Sequence, residues 1–254
     1  MKSRPLIVIL SFMTDNSTTL VSLPLTLHNY HDIFSTTFAT VLGRSFLMAS
    51  VTTLCCLLLA YPFSYLLVQS RYQAILLALL VIPLWTSTLM RTYAMIAILK
   101  LNGILNHLLI LLHFINQPIA FLYTNTAVLM GLVYNLFPFM VLPLFSNMER
   151  FDFALLEAAE DLGANRITIF LKVFLPHTYQ GIIAGSLITF LPAMTLFYVP
   201  NILGGARSIL LGNLIQNQFL VTENWPAGAT TSVVLTLTMF LLLLFYRPKK
   251  EIEY

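Results

Sequence analysis

Hydrophobic positions in this chain do not recur at the spacing of a half-buried helix or strand. They form unbroken blocks of about 20 residues divided by short polar punctuation. In lipid the backbone finds no hydrogen-bond partner outside its own helix, so blocks of this length predict membrane-spanning helices. Five are marked out: Ser45–Val68, Tyr72–Met90, Ala127–Met148, Gly181–Val199 and Ala229–Tyr246. Gln69, Ser70 and Arg71 close the first block, and Arg91 stands at the end of the second. Between Lys100 and Glu149 no charged residue occurs, yet Asn116, Gln117 and Pro118 interrupt that stretch, which is too long for one span. Leu101–Ile115 therefore predicts a short helix lying in the interface or dipping partway in. Leu6–Phe12 is apolar but too short to cross. It reads as a packed loop segment or as the tail of a helix. Residues 1–40 are accordingly assigned to a truncated first helix with an outer loop, and residues 41–254 to the membrane domain.

Composition sharpens this picture. Of 254 residues, 58% are hydrophobic and 9% are charged, and the mean hydropathy is +0.85. Soluble domains carry about 25% charged residues, so an ordinary soluble enzyme and a disordered tail are excluded. The 13 Lys and Arg are too sparse to track phosphates. That excludes a nucleic-acid partner and leaves the lipid bilayer. Basic residues near span ends set orientation. Arg71, Arg150, Arg166, Lys172, Arg247, Lys249 and Lys250 fall on one side, against Lys100 and Arg207 on the other. This bias predicts a cytoplasmic C-terminus, and Lys2 and Arg4 fit the outer side poorly. Cys55 and Cys56 are adjacent in an apolar block and suggest neither a disulfide framework nor a metal site. His28, His31 and Asp32 read as a water-facing loop, so no metal and no cofactor is expected.

One segment, residues 149–177, is not of membrane character. It holds Glu149, Asp152, Glu157, Glu160 and Asp161, half of the 10 acidic residues. Asp152 is placed to cap a helix whose early turns favour acidic residues, and Gly163 to end it in a left-handed conformation. Asn165 is placed to cap a second helix, Arg166–Leu175, which Pro176 stops. The expected product is a stiff helix–turn–helix on the cytoplasmic face.

Glu157-Ala158-Ala159, then Gly163, then Val173 and Leu175-Pro176 resembles the EAA loop of ABC-importer permeases. Further likeness lies in Tyr61-Pro62-Phe63, Pro83-Leu84-Trp85-Thr86, Leu191-Pro192-Ala193-Met194, Gly204-Gly205-Ala206, Leu211-Gly212-Asn213 and Trp225-Pro226. These resemble the spermidine/putrescine permeases, B-type subunit. The resemblance implies an all-α polytopic membrane protein with the type I ABC-importer permease fold: five transmembrane helices, a truncated first helix and a cytoplasmic coupling helix. It implies a bacterial inner-membrane permease that forms half of a polyamine pathway. Implied partners are an ATPase subunit dimer, a second permease of C type and a periplasmic polyamine-binding protein. Glu157, Ala158, Ala159, Gly163, Leu175 and Pro176 are the implied ATPase-coupling residues. Other solutes of the wider family, such as iron(III), another cationic amine or a sulfate-like anion, are the alternative cargo. A non-transport membrane scaffold is the other reading. No G-x-x-x-x-G-K-[ST] phosphate loop occurs, so the chain is not expected to be an enzyme and ATP hydrolysis is expected in a partner.

A polycation must exchange its hydration for something in the membrane. No Asp or Glu lies within the five blocks, so aromatic faces and amides are the candidates. These are Trp85, Tyr93, Tyr134, Asn135, Tyr198 and Asn201. Tyr30 and Tyr246 match family positions near the outer and inner mouths. No catalytic residue is expected.

Overall fold

The computed structural model describes residues 4–14, 30–31, 36–205 and 209–245. Their helices are α1 (Arg4–Ser11), α2 (Thr36–Gln69), α3 (Gln73–Val81), α4 (Thr88–Leu99), α5 (Ile104–Leu111), α6 (Asn125–Met148), α7 (Ala154–Asp161), α8 (Arg166–Ile169), α9 (Leu175–Thr195), α10 (Leu211–Leu220) and α11 (Trp225–Phe245). Four helical stretches among the described residues are long and apolar enough to cross a membrane: Phe38–Gln69, Thr88–Leu111, Asn125–Met148 and Arg166–Thr195.

The centre of the molecule is a three-helix core of α2, α6 and α9, packed around Cys56, Ala60, Leu67, Met140, Leu144 and Met148. Close approach of α6 and α9 depends on a G-x-x-x-G pair, since small residues let backbones meet in lipid. A Cβ at Gly185 would stand 2.7 Å from Met140 Sδ and 3.2 Å from the Met140 carbonyl oxygen. One at Gly181 would stand 2.8 Å from Asn147 Cβ. Replacing Gly185 by leucine is therefore expected to lower stability by about 1–3 kcal/mol, the usual cost of overpacking. Gly43, whose Cβ would meet nothing, is the control. Thermal unfolding in detergent should show a clear drop for Gly185→Leu and none for Gly43→Leu.

Several boundaries differ from expectation. The second predicted span is broken: α3 passes into a 3₁₀ turn at Ile82–Trp85, Thr86 is extended, and α4 begins at Thr88. Pro83 lacks the N–H that would continue the helix and its ring crowds the preceding turn. Arg91 consequently lies in the first turn of α4 and not at the end of the helix before the break. Pro176 does not stop the second loop helix. A π-helical turn at Phe170–Phe174 precedes it, and the helix runs on into α9, so the loop and the fourth long helix form one continuous rod. Widening by one residue at that turn absorbs the missing proline donor. The rod ends at Thr195, short of Val199, where Leu196 is extended. Leu6–Phe12 is largely helical, as α1, and packs along α11: Thr230 Oγ1 donates to the Ser11 carbonyl at 3.0 Å. α10 has no counterpart among the predicted blocks, because Asn213, Gln216, Asn217 and Gln218 dilute its hydropathy.

Candidate functional site

The docking loop is built from local capping. Asp152 Oδ1 accepts the Ala154 N–H at 3.0 Å, although the cap position itself falls on Phe153, one residue later than expected. At the other end of α7, Gly163 takes φ +81°. Its N–H donates to the Glu160 carbonyl at 2.9 Å, and the Ala164 N–H to the Ala159 carbonyl at 3.1 Å. This double bond pattern is the Schellman closure, which needs a left-handed residue where Gly163 sits. Asn165 Oδ1 then accepts the Thr168 N–H at 2.7 Å and starts the second helix, as expected. Glu157 and Ala158 are exposed, and Ala159 is half-buried. Leu162, 88% exposed, stands with the exposed Ile167 and Leu171 on the same loop, so a carboxylate and apolar side chains are offered together, uncovered by the described residues. Leu175 and Pro176 stand apart from that offer, at the start of α9, where Leu175 is half-buried.

The loop is anchored by aromatic rings that sequence reasoning missed. Phe174 meets Tyr65 and Phe151 edge-on, each with centroids 5.2 Å apart, and Tyr61 at 6.0 Å. Tyr61 also shares a 2.8 Å hydrogen bond between its hydroxyl and that of Thr178. Tyr61 and Tyr65 lie one turn apart on α2, so both ring pairs fix the loop to the core. A cavity of about 510 Å³ opens beside this anchor, lined by Tyr61, Tyr65, Leu156, Glu160, Arg166 and Phe170 among others. The spacing Phe170-x-x-x-Phe174 was visible in the sequence, but its partners on α2 are more than a hundred residues away.

A second region surrounds the break after α3. Trp85, at the end of the 3₁₀ turn, is 84% exposed, and Tyr93 and Tyr134 are exposed as well. Pro83, Arg91 and Tyr134 line one cavity of about 510 Å³ with Leu59, Phe63 and Phe137. Tyr198 joins them: its hydroxyl meets the Thr88 side chain and it lies in the field of Arg91. Asn135 is turned inward instead. It is 2% exposed, its Nδ2 donates to the Gly131 carbonyl at 2.8 Å and faces Thr92 Oγ1 at 3.5 Å, and its Oδ1 is buried without a partner. Asn201 Nδ2 donates to Gln216 Oε1 at 2.6 Å, tying the segment after α9 to α10. Tyr30 packs on Phe12 and shares a 2.8 Å hydroxyl contact with Ser11, away from this group on the α1 side. Tyr246 lies outside the described residues.

Known proteins give this geometry a context. The spermidine/putrescine transport system permease protein PotB of Haemophilus influenzae is 44% identical over 248 residues, covering 96% of this chain and 87% of its own. The protein of the same name from Escherichia coli is 45% identical over 238 residues, covering 93% of this chain and 86% of its own. Among solved structures, a bacterial ABC transporter involved in the import of the acidic polysaccharide alginate superposes with a TM-score of 0.72 at 14% identity. It covers 96% of this chain and 87% of that one, and likeness at such identity shows the fold, which is that of an ABC-importer permease. A family model described as "Binding-protein-dependent transport system inner membrane component" matches residues 57–247. An all-helical chain of lipid-length spans, with a capped acidic loop between two of them, thus belongs to the inner-membrane permease components of binding-protein-dependent transport systems.

Proposed function

We propose that this chain is the B-type permease subunit of an ATP-driven importer of spermidine and putrescine. ATP hydrolysis takes place in a partner ATPase, whose dimer docks on residues 149–177 through Glu157, Ala158 and the exposed Leu162. A second permease of C type completes the pathway, and a periplasmic polyamine-binding protein delivers the cargo. On this reading there are five spans: α2, the broken pair α3–α4, α6, the rod leading through α9, and α11, with the C-terminus cytoplasmic. Residues 41–254 form the permease domain.

The observation that carries the reading is the likeness to the spermidine/putrescine permeases over 96% of the chain. Support from geometry lies in the break at Pro83, which shares a cavity with Tyr134 and is followed by the exposed Trp85. Aromatic faces attract ammonium groups by about 0.5–2 kcal/mol each. Proteoliposomes holding the full complex are expected to accumulate labelled spermidine or putrescine only with ATP and the binding protein. Uptake of iron(III) or sulfate in preference to either amine would replace the cargo assignment.

A further inference from the structure

The proposed cargo is a polycation, yet the ionised group that lines the cavity beside the middle of α6 is itself a cation. Arg91 shares a cavity with Val133, Tyr134, Phe137 and Pro138, beside the central turns of α6. At about 1.5 Å per residue, Tyr134 is roughly 14 Å from the nearer end of that helix. Arg91 is half-buried, its Nε has no hydrogen-bond partner among the described residues, and its Nη2 donates to Thr88 Oγ1 at 3.3 Å. Tyr134 lines the same cavity, and Tyr198 lies within the field of the guanidinium. Every described carboxylate lies either in the cytoplasmic loop, from Glu149 to Asp161, or at Glu223 in the turn before α11. A guanidinium at this depth is costly unless a counter-charge reaches it.

No described carboxylate of this chain supplies that counter-charge, and a partner chain can. The cavity that Arg91 lines reaches the surface at Leu79, which is 69% exposed. A lipid phosphate would have to leave headgroup level to reach the central turns of α6. A carboxylate on a spanning helix of a second permease chain reaches it without such displacement. We infer that Arg91 is a resident counter-cation, which pairs with a carboxylate of the second permease while the pathway is empty and yields it to an ammonium group of the passing polyamine. The inference builds on the polyamine reading above. It also supplies what that reading lacks. A carboxylate strong enough to desolvate an ammonium group would hold it too tightly for release, and the return of Arg91 displaces it.

The test uses the full complex with its ATPase and binding protein in proteoliposomes. With Cys55 and Cys56 replaced by alanine, Arg91→Cys is combined with a cysteine at each acidic position in the spans of the second permease. One pair is expected to cross-link without spermidine, and saturating spermidine should slow it. In uptake, Arg91→Ala is expected to lower KM for spermidine and turnover by about tenfold each, whereas Arg91→Lys keeps both within about twofold. Absence of any cross-link, or equal loss in Arg91→Ala and Arg91→Lys with KM unchanged, would overturn the inference. So would wild-type uptake that depends on anionic lipid, with that dependence lost in Arg91→Ala. Should Arg91→Ala fail to assemble, neutralising the partner carboxylate in the same complex should restore assembly, and failure to do so also counts against the pair. A wild-type complex that moves no polyamine removes the cargo reading, while the cross-link without spermidine still decides the ion pair.

Discussion

Gly163→Val is expected to stop ATP-driven uptake while leaving the chain in the membrane and the ATPase able to bind weakly. Gly163 holds φ +81°, and nothing lies within 4 Å of where a Cβ would stand. The penalty for a side chain is thus one of backbone conformation and not of crowding. For an L-residue the left-handed region costs about 1–2 kcal/mol, and more when the side chain is β-branched. α7 has only 8 residues, too few to persist without its caps. A loss of about 1–2 kcal/mol shifts the ordered fraction of such a loop by about 5- to 30-fold. Gly163→Asn should stay near normal, because asparagine tolerates this conformation. Glu157→Ala, which keeps the helix and removes the exposed charge, should lower uptake without changing the loop's helicity. Normal uptake by Gly163→Val with a fully stimulated ATPase would remove the loop from the coupling path.

The second large effect is expected at Trp85. Its side chain is 84% exposed at the end of the 3₁₀ turn, so substitution removes little packing, and the fold should survive. What it removes is a π face beside a break in a membrane helix. Trp85→Leu is expected to raise KM for spermidine by about 2- to 30-fold, the range spanned by one cation–π contact. Trp85→Phe retains a face and should stay closer to normal. Equal loss in both variants would point to the indole N–H or to shape, and no loss in either would place Trp85 against lipid.

How far these features were legible in the sequence varied with the range of the forces involved. Charge-free blocks of lipid length mark spans because a membrane leaves the backbone one solution, and three of the four long apolar helices follow that pattern; the fourth, Thr88–Leu111, instead takes in most of the segment expected only to dip into the membrane. The loop was legible to the level of single residues. Gly163 and Asn165 close and open helices through bonds no more than five residues distant, so local chemistry decides them. Prolines were visible but their outcomes were not. Pro83 breaks its helix, whereas Pro62, Pro138, Pro143 and Pro192 lie inside helices and Pro176 is absorbed by the π turn before it. Whether a freed carbonyl finds another donor depends on what packs beside it. The Gly181–Gly185 pair could be read as small residues, but only the tertiary structure sets them against Met140 and Asn147. Tyr61 and Tyr65 were read as part of a family pattern and an apolar block; the fold makes them the anchor of the loop through Phe174 and Thr178. Asn135 stood beside Tyr134 as an open amide, and the turn of α6 sends one outward and the other against Gly131 and Thr92. Arg91 stood at the edge of a block in the sequence, and a break eight residues earlier carries it beside the middle of α6. Hydropathy and capping act within a few turns of the chain and so are written in it directly. Depth, partner and facing direction depend on contacts between distant segments, and only the packed helices decide them.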